Sequence, residues 1–245
     1  MEKIHLTNLY KQMQTNKIIT DLKLINISKK QKMDPNKAEI SRLEVLPQDL
    51  LGEIVAKIGA KYAEDYHNCI LSCKELGASA NDERVLKTLN LALLVKKPLS
   101  CRKHLLIMKK CLANNNPDAH YIKGIIWYFN LDHCDVGLHH IGIAANGGQK
   151  EAIYMYVMLL LCRGRTEEGK TYMSQLEWAK DTTMAETCWK QIKTSLNGIR
   201  VARKRCYMIS LRNMKPPDVC HPRDLDNTCE KCFFYKQMFK FIFMV

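Results

Sequence analysis

Two short segments in the middle of the chain repeat each other at a fixed distance. Ala119-His120-Tyr121 returns as Ala152-Ile153-Tyr154, a shift of 33 residues, and the same shift carries Gly137-Leu138 to the neighbourhood of Glu168-Gly169-Lys170. A period of this size is the length of one helical hairpin, a unit that cannot bury its apolar face alone and has to stack on a neighbour. Small alanines let adjacent helices approach closely while the tyrosine fills the groove between them. The stretch GLHHIGIAANGGQKEA (137–152) bridges two such units, with Ala144, Ala145 and Gly147 around its turn and Gly124 in the helix before it. About one and a half units are legible, fewer than the roughly three that independent stability needs, so the array is expected to lean on flanking helices. The alternative is an ordinary helical bundle with alanines at these positions by coincidence.

The remaining sequence supports an all-α reading. From Leu46 onward alternating β-branched runs almost vanish, the whole chain has 7 prolines, and apolar residues recur at spacings of three and four. Helices are expected over 48–58, 65–76, 81–91, 101–113, 119–129, 136–146, 149–163 and 167–179, and a long one over 183–212. Pro117 separates two of them, Ser100 and Asp135 are placed to cap helix starts, and Gly147-Gly148 suits a left-handed helix end. At 47% hydrophobic, 245 residues can bury a substantial core. The longest apolar run, AIYMYVMLLLC (152–162), has the length of a buried helix, and no membrane association is expected.

The stretch LEVLPQDLLGEIVAKI (43–58) places Leu46, Leu50, Leu51, Ile54, Val55 and Ile58 on one helix face, with Pro47 in the first turn where its missing N–H costs nothing. By itself such a stripe reads as core. It is followed by NCILSCKELGASANDERVLKTLNL (68–91), and the order Leu-Pro, an acidic residue two positions on, Leu-Leu, Glu-Ile-Val, Ser-Cys-Lys-Glu-Leu and a distal Val resembles an F-box over roughly 46–91. That resemblance implies a three-helix module that inserts apolar side chains into a Skp-type adaptor and so joins a cullin-RING ubiquitin ligase. Its expected contacts are Leu46, Pro47, Leu50, Leu51, Ile54 and Val55 from the first helix and Cys73, Lys74 and Leu76 from the second. GAKYAEDYHN (59–68) departs from the family by being more polar than the usual linker.

The hairpin stretch resembles Sel1-like repeats, relatives of tetratricopeptide repeats, on the strength of Ala119, Tyr121, Gly124, Ala144, Ala145, Gly147, Ala152 and Tyr154. The combined order is similar to a plant F-box group with Sel1-like repeats and a Cys-rich, MYND-like end. The organisation expected is a lysine-rich tail over 1–42, with Met33 as a candidate start of the compact protein, an F-box over 43–95, helical repeats over 96–181, and a long basic helix with a Cys-bearing tail over 182–245.

In VCHPRDLDNTCEKCFFYKQ (219–237), Cys229-x-x-Cys232 is a tight ligand pair, and Cys220 or His221 could extend it toward a tetrahedral zinc site, with Cys206 or Cys188 as a distant fourth ligand. Adjacent Cys220 and His221 are poorly placed to reach one metal together, so free thiols in a shortened site are the competing reading. The 11 cysteines, read as reduced thiols, point to the cytoplasm or nucleus.

In the expected long helix, Cys188, Ile192, Leu196, Ile199, Ala202 and Cys206 form a stripe, and RVARKR (200–205) reads as a nuclear import or nucleic-acid patch, or as a solvated face complementing the helix dipole. DHCD (132–135) and His139-His140 form no recognisable catalytic constellation, because neighbouring residues on a helix point apart. With 38 Lys and Arg against 25 Asp and Glu, a net +13, the surface should attract acidic partners. The reading that joins these features is a non-catalytic substrate receptor of a Skp-cullin-F-box ligase whose target is unspecified. The rival is a basic, zinc-containing nucleic-acid-binding or scaffold protein.

Overall fold

Among the residues that the computed structural model describes, 46–177, 183–217, 219–220 and 229–244, every element is helical and no strand occurs. The expected tail and Met33 lie outside these residues, as does His221. The helix α1, Gln48–Lys61, starts on Pro47, whose carbonyl accepts from the Leu50 and Leu51 N–H groups at 3.0 and 3.2 Å. It buries Leu51, Gly52, Val55, Ala56 and Gly59, a stripe in which small residues alternate with large ones.

The single helix expected over 65–76 is two, α2 (Ala63–Ser72) and α3 (Lys74–Ala78), because Cys73 is extended at φ −155° and ψ 164°. The break turns Leu76 inward to 6% exposure. A short α4 (Glu83–Thr88) follows, capped by Asp82, whose carboxylate accepts from the Arg84 N–H at 2.9 Å. Next come α5 (Ala92–Lys96), a 3-10 stretch (Pro98–His104) and α6 (Leu105–Ala113). Ser100 caps nothing: its hydroxyl donates back to the Lys97 carbonyl at 2.6 Å, tightening the 3-10 turn.

The array proper consists of α7 (Pro117–Ile125), a π-helical turn (Ile126–Asn130), α8 (Cys134–Asn146), α9 (Lys150–Cys162) and α10 (Thr166–Met173). Repetition in sequence is here repetition of backbone. Asn115 at φ 54° and Gly148 at φ 81° take the left-handed turns that end α6 and α8. The residues that follow, Asn116 and Gln149, accept from the Ala119 and Ala152 N–H groups at 3.1 and 2.6 Å. Their own N–H groups donate to the carbonyls of Cys111 and Ala144. All four pairs are displaced by the same 33 positions, so α6 is the second helix of an incomplete unit ahead of the α7–α8 and α9–α10 hairpins.

The next turns, at Asp132 and Gly164, are 32 positions apart. The π turn accounts for the difference: Leu131 N–H reaches back five residues to the Ile126 carbonyl, which accommodates one extra residue in the first helix of the first unit.

The alanines and tyrosines of the repeat line the helix contacts. Ala119, Tyr121, Ala144, Ala152 and Tyr154 are fully buried, and Ala145 is 1% exposed. Gly147 is exposed and right-handed at φ −75°; Gly148 carries the left-handed conformation. Gly124 and Gly137 allow α7 and α8 to touch: a Cβ on Gly124 would stand 2.5 Å from Ile141 Cγ1, and one on Gly137 would stand 2.5 Å from the Tyr128 main-chain nitrogen. Because the second obstacle is backbone, Gly137→Ala is expected to cost about 1–3 kcal/mol, read as a lower urea midpoint at unchanged helix content.

Beyond its polar first turn α9 is almost wholly apolar and buried, with Tyr156 half-buried and Ile153 the most exposed of its core residues at 4%. The long helix expected over 183–212 is α11 (Thr183–Ser195) and α12 (Arg205–Asn213), separated at Gly198, φ 78°. Cys188, Ile192, Leu196 and Ile199 are buried as the stripe requires, but Ala202 and Cys206 are exposed, because the chain has left the helix before reaching them. The last helix, α13 (Glu230–Met244), packs on α9 and α12. A polar chain ties three helices there: the Tyr154 hydroxyl donates to Gln237 Oε1 at 2.7 Å, Gln237 Nε2 donates to Glu186 at 3.2 Å, and Lys240 Nζ donates to the same carboxylate at 2.6 Å.

Candidate functional site

The apolar band on α1 is wider than its core contact. Leu51 and Val55 are 1% and 0% exposed, whereas Leu50 and Ile54 are 47% and 39% exposed and Pro47 lies beside them at the surface. Leu46 is half-buried against the core. The expected partner-facing set is therefore split: Pro47, Leu50 and Ile54 are presented outward, and Leu51 and Val55 have no surface to give, because they hold α1 in place. On the following segment, Lys74 is exposed and Cys73 is half-buried, while Leu76 is a core residue.

Four polar side chains hold α1 in this orientation. Gln48 Nε2 donates to Ser79 Oγ at 2.7 Å, joining the start of α1 to the end of α3. Asn90 Nδ2 donates to the Lys61 carbonyl at 3.2 Å, and its N–H to the Gly59 carbonyl at 2.9 Å, closing the other end. Between them the Asp82–Arg84 pair lies flat on Gly52, where a Cβ would stand 2.3 Å from Asp82 Oδ2.

A buried asparagine helps fasten the module to the array. Asn116, 1% exposed, donates from Nδ2 to the Leu86 and Leu89 carbonyls at 3.0 and 2.8 Å while its Oδ1 caps α7. Asp118 accepts from the Leu91 N–H at 3.0 Å, and burial raises its carboxyl above the ordinary range. Neither residue was singled out from sequence beyond the helix break in NNNPD. An Asn directly before a Pro was the available sign, since Pro suits the first helical position and Asn the cap.

The residues considered for chemistry are held by neighbours. Lys204 Nζ donates to Asp132 at 2.6 Å and to Cys134 Sγ at 2.8 Å, which pins RVARKR to the turn before α8. Residues 200–204 of that basic segment are a non-helical link between α11 and α12, and Arg205 begins α12, so the segment is not the C-terminal turn of one long helix. Asp135 does not cap α8; it pairs with Arg163 at 2.6 Å in an open cleft lined also by Leu138, His139, Tyr156 and Arg165. Arg165 in turn is paired with Glu168, so the cleft's arginines are neutralised.

His140 shares a 2.8 Å contact between Nδ1 atoms with His120. Burial, and then Lys123, His120 and His139, hold His140 down to about 4 from the ordinary 6.5. The fold thus prefers neutral imidazole, and its contribution, complete above about pH 6.5, is lost as the pH falls toward 4 because the unfolded chain takes up the proton first. The thermal midpoint should fall across that window, and His140→Gln should flatten the slope.

Of the proposed metal ligands, Cys220, Cys229 and Cys232 come together, with their Sγ atoms all within 4.8 Å of one another. The distant candidates do not join them. Cys188 is buried in the α11 core, where burial pushes its thiol up to about 12, and Cys206 is exposed on α12.

Known proteins resemble this chain in part. The family described as plant tetratricopeptide repeats matches residues 92–197, from the start of α5 to just beyond α11. An F-box protein of Arabidopsis thaliana is 95% identical over 148 residues, 60% of this chain and 91% of that protein. A second Arabidopsis thaliana protein named for an F-box is 31% identical over 147 residues, 59% of this chain and 49% of its own length. No solved structure matches the chain.

Proposed function

The chain belongs to the F-box proteins of plants, and on that premise we propose that it is a non-catalytic substrate receptor of a Skp-cullin-F-box ubiquitin ligase, acting in the nucleus or cytoplasm. The observation that carries this reading is the outward stripe Pro47, Leu50 and Ile54 on a helix whose opposite stripe is already core. Apolar anchors held on a rigid helix and left wet in the single chain suit a partner's groove. Cullin and RING subunits then join through the adaptor, and the receptor contributes proximity: a target held beside the ubiquitin-charged enzyme meets it at a raised effective concentration.

The target would be held by the helical region. Its first part supports an acidic target, because residues 85–116 contain no Asp or Glu and the exposed Lys96, Lys97, Arg102, Lys103 and Lys109 flank in sequence Leu105 and Leu106, which are 67% and 71% exposed. An acidic protein segment with apolar side chains would use both features, whereas nucleic acid would leave the leucines unused.

Purification of the full chain with a plant Skp-type adaptor tests the reading. A stoichiometric complex that persists at high salt is expected, since its contacts are apolar. Failure to bind any adaptor, together with salt-sensitive binding to RNA or DNA, would favour the basic nucleic-acid-binding alternative.

A further inference from the structure

We propose that Cys220, Cys229 and Cys232 are thiolate ligands of a structural zinc ion that staples the segment after α12 to the first turn of α13. The spacing of the sulfurs is the first reason. Cys220 Sγ lies 3.6 Å from Cys229 Sγ and 3.8 Å from Cys232 Sγ. A sulfur–sulfur bond needs about 2.05 Å. Two thiolates on a tetrahedral zinc, each about 2.3 Å from the metal, stand about 3.8 Å apart.

The setting is the second reason. Cys229 and Cys232 bracket the start of α13, where the Phe233 N–H donates to the Cys229 carbonyl at 2.9 Å and the helix N-terminus favours negative ligands. Cys232 is 1% exposed and continues directly into Phe233 and Phe234, 4% and 1% exposed, so one ligand is anchored in the core. Cys220 arrives from the other side of the connection through a turn in which its N–H donates to the Pro217 carbonyl at 2.9 Å. A soft, three-thiolate donor set selects a thiophilic ion of tetrahedral preference, which in a reducing cell is zinc. Three thiolates leave the fourth position of the tetrahedron to water.

A metal there would close the loop between Cys220 and Cys229 and hold α13 on α9 and α12, independently of any role in ubiquitin transfer. Because thiolates bind as metal arrives, the ion's binding energy becomes folding energy and protons are released on loading.

The full chain, purified with reductant and without added metal, should contain about one zinc per molecule by elemental mass spectrometry. Cobalt substituted for zinc should show thiolate-to-metal charge transfer and the visible bands of a tetrahedral site. Cys229→Ser with Cys232→Ser should abolish both signals, whereas Cys206→Ser should keep them. Chelation should lower the thermal midpoint of the wild type and leave that of the double variant unmoved. Should the double variant fail to fold, stripping the wild type and titrating zinc back with a competing chelator replaces it, with uptake at one equivalent expected. The proposal is overturned by zinc-free protein that takes up none, by zinc that survives the double substitution, or by an unreduced intact mass two hydrogens light with no metal.

Discussion

Leu50→Ala combined with Ile54→Ala should abolish capture of a Skp-type adaptor and leave the chain as stable as before. Each side chain would contribute about 1.5–3 kcal/mol when buried in a partner's groove, so losing both should weaken binding on the order of a hundred- to ten-thousand-fold. In the single chain they are 47% and 39% exposed, and truncating exposed side chains shifts stability by only about 0.5 kcal/mol. The opposite stripe should behave in the opposite way. Leu51→Ala or Val55→Ala leaves a cavity at 1% or 0% exposure and should cost about 2–5 kcal/mol, with adaptor capture lost only in step with unfolding. Isothermal titration beside chemical denaturation separates the two cases. Undiminished adaptor binding by the Leu50 and Ile54 double variant would sink the assignment of this face.

A second large effect is expected at Asn116. Asn116→Ala removes the cap of α7 and strips the Leu86 and Leu89 carbonyls of their donor inside the protein, where water does not readily replace it. A lost cap costs about 1 kcal/mol and each of the two buried orphans about 1–3 kcal/mol, so a total of about 3–7 kcal/mol is expected, a large part of the stability of an ordinary domain. The same substitution should also uncouple the two halves. Hydrogen exchange of α4 should accelerate more than that of α9, because α4 loses the bonds at its own C-terminal carbonyls while α9 keeps its enclosed packing. Asn114→Ala provides the control, since its amide only bonds back to the Lys110 carbonyl one turn earlier. Equal losses in both variants would mean that Asn116 is not the fastener.

The repeat illustrates how far local pattern reaches. The shift from Ala119 and Tyr121 to Ala152 and Tyr154 was readable because close helix packing demands small and aromatic residues at fixed positions, and those positions are buried as expected. The matching caps at Asn116 and Gln149 are not legible as a repeat in the sequence, because the two residues differ in type and share only their geometry. The step from 33 to 32 between later turns has a cause, a π turn, that involves no residue type that announces it. The single helix expected over 183–212 does not form for a related reason. Apolar spacing continues through Leu196 and Ile199, and one glycine inside a periodic stretch does not by itself declare that the chain will turn there.

The candidate docking face shows the same boundary. At about 100° per residue, the apolar residues from Leu46 to Ile58 cover about half the circumference of α1, and periodicity offers no means of dividing a band that wide. The division came from Gly52, Ala56 and Gly59, whose small side chains let α1 settle against α2 and α4 and draw Leu51 and Val55 in with them.

From the sequence alone came the helical class, the hairpin period, the resemblance of 46–91 to an F-box and the cysteine spacing at the end of the chain, all of which are local patterns within a few turns. Tertiary structure alone decided which apolar stripe stays wet, that Asn116 joins module to array, and that three cysteines converge while Cys188 and Cys206 stand apart. Those outcomes depend on which surfaces meet across distances in sequence that no local period encodes.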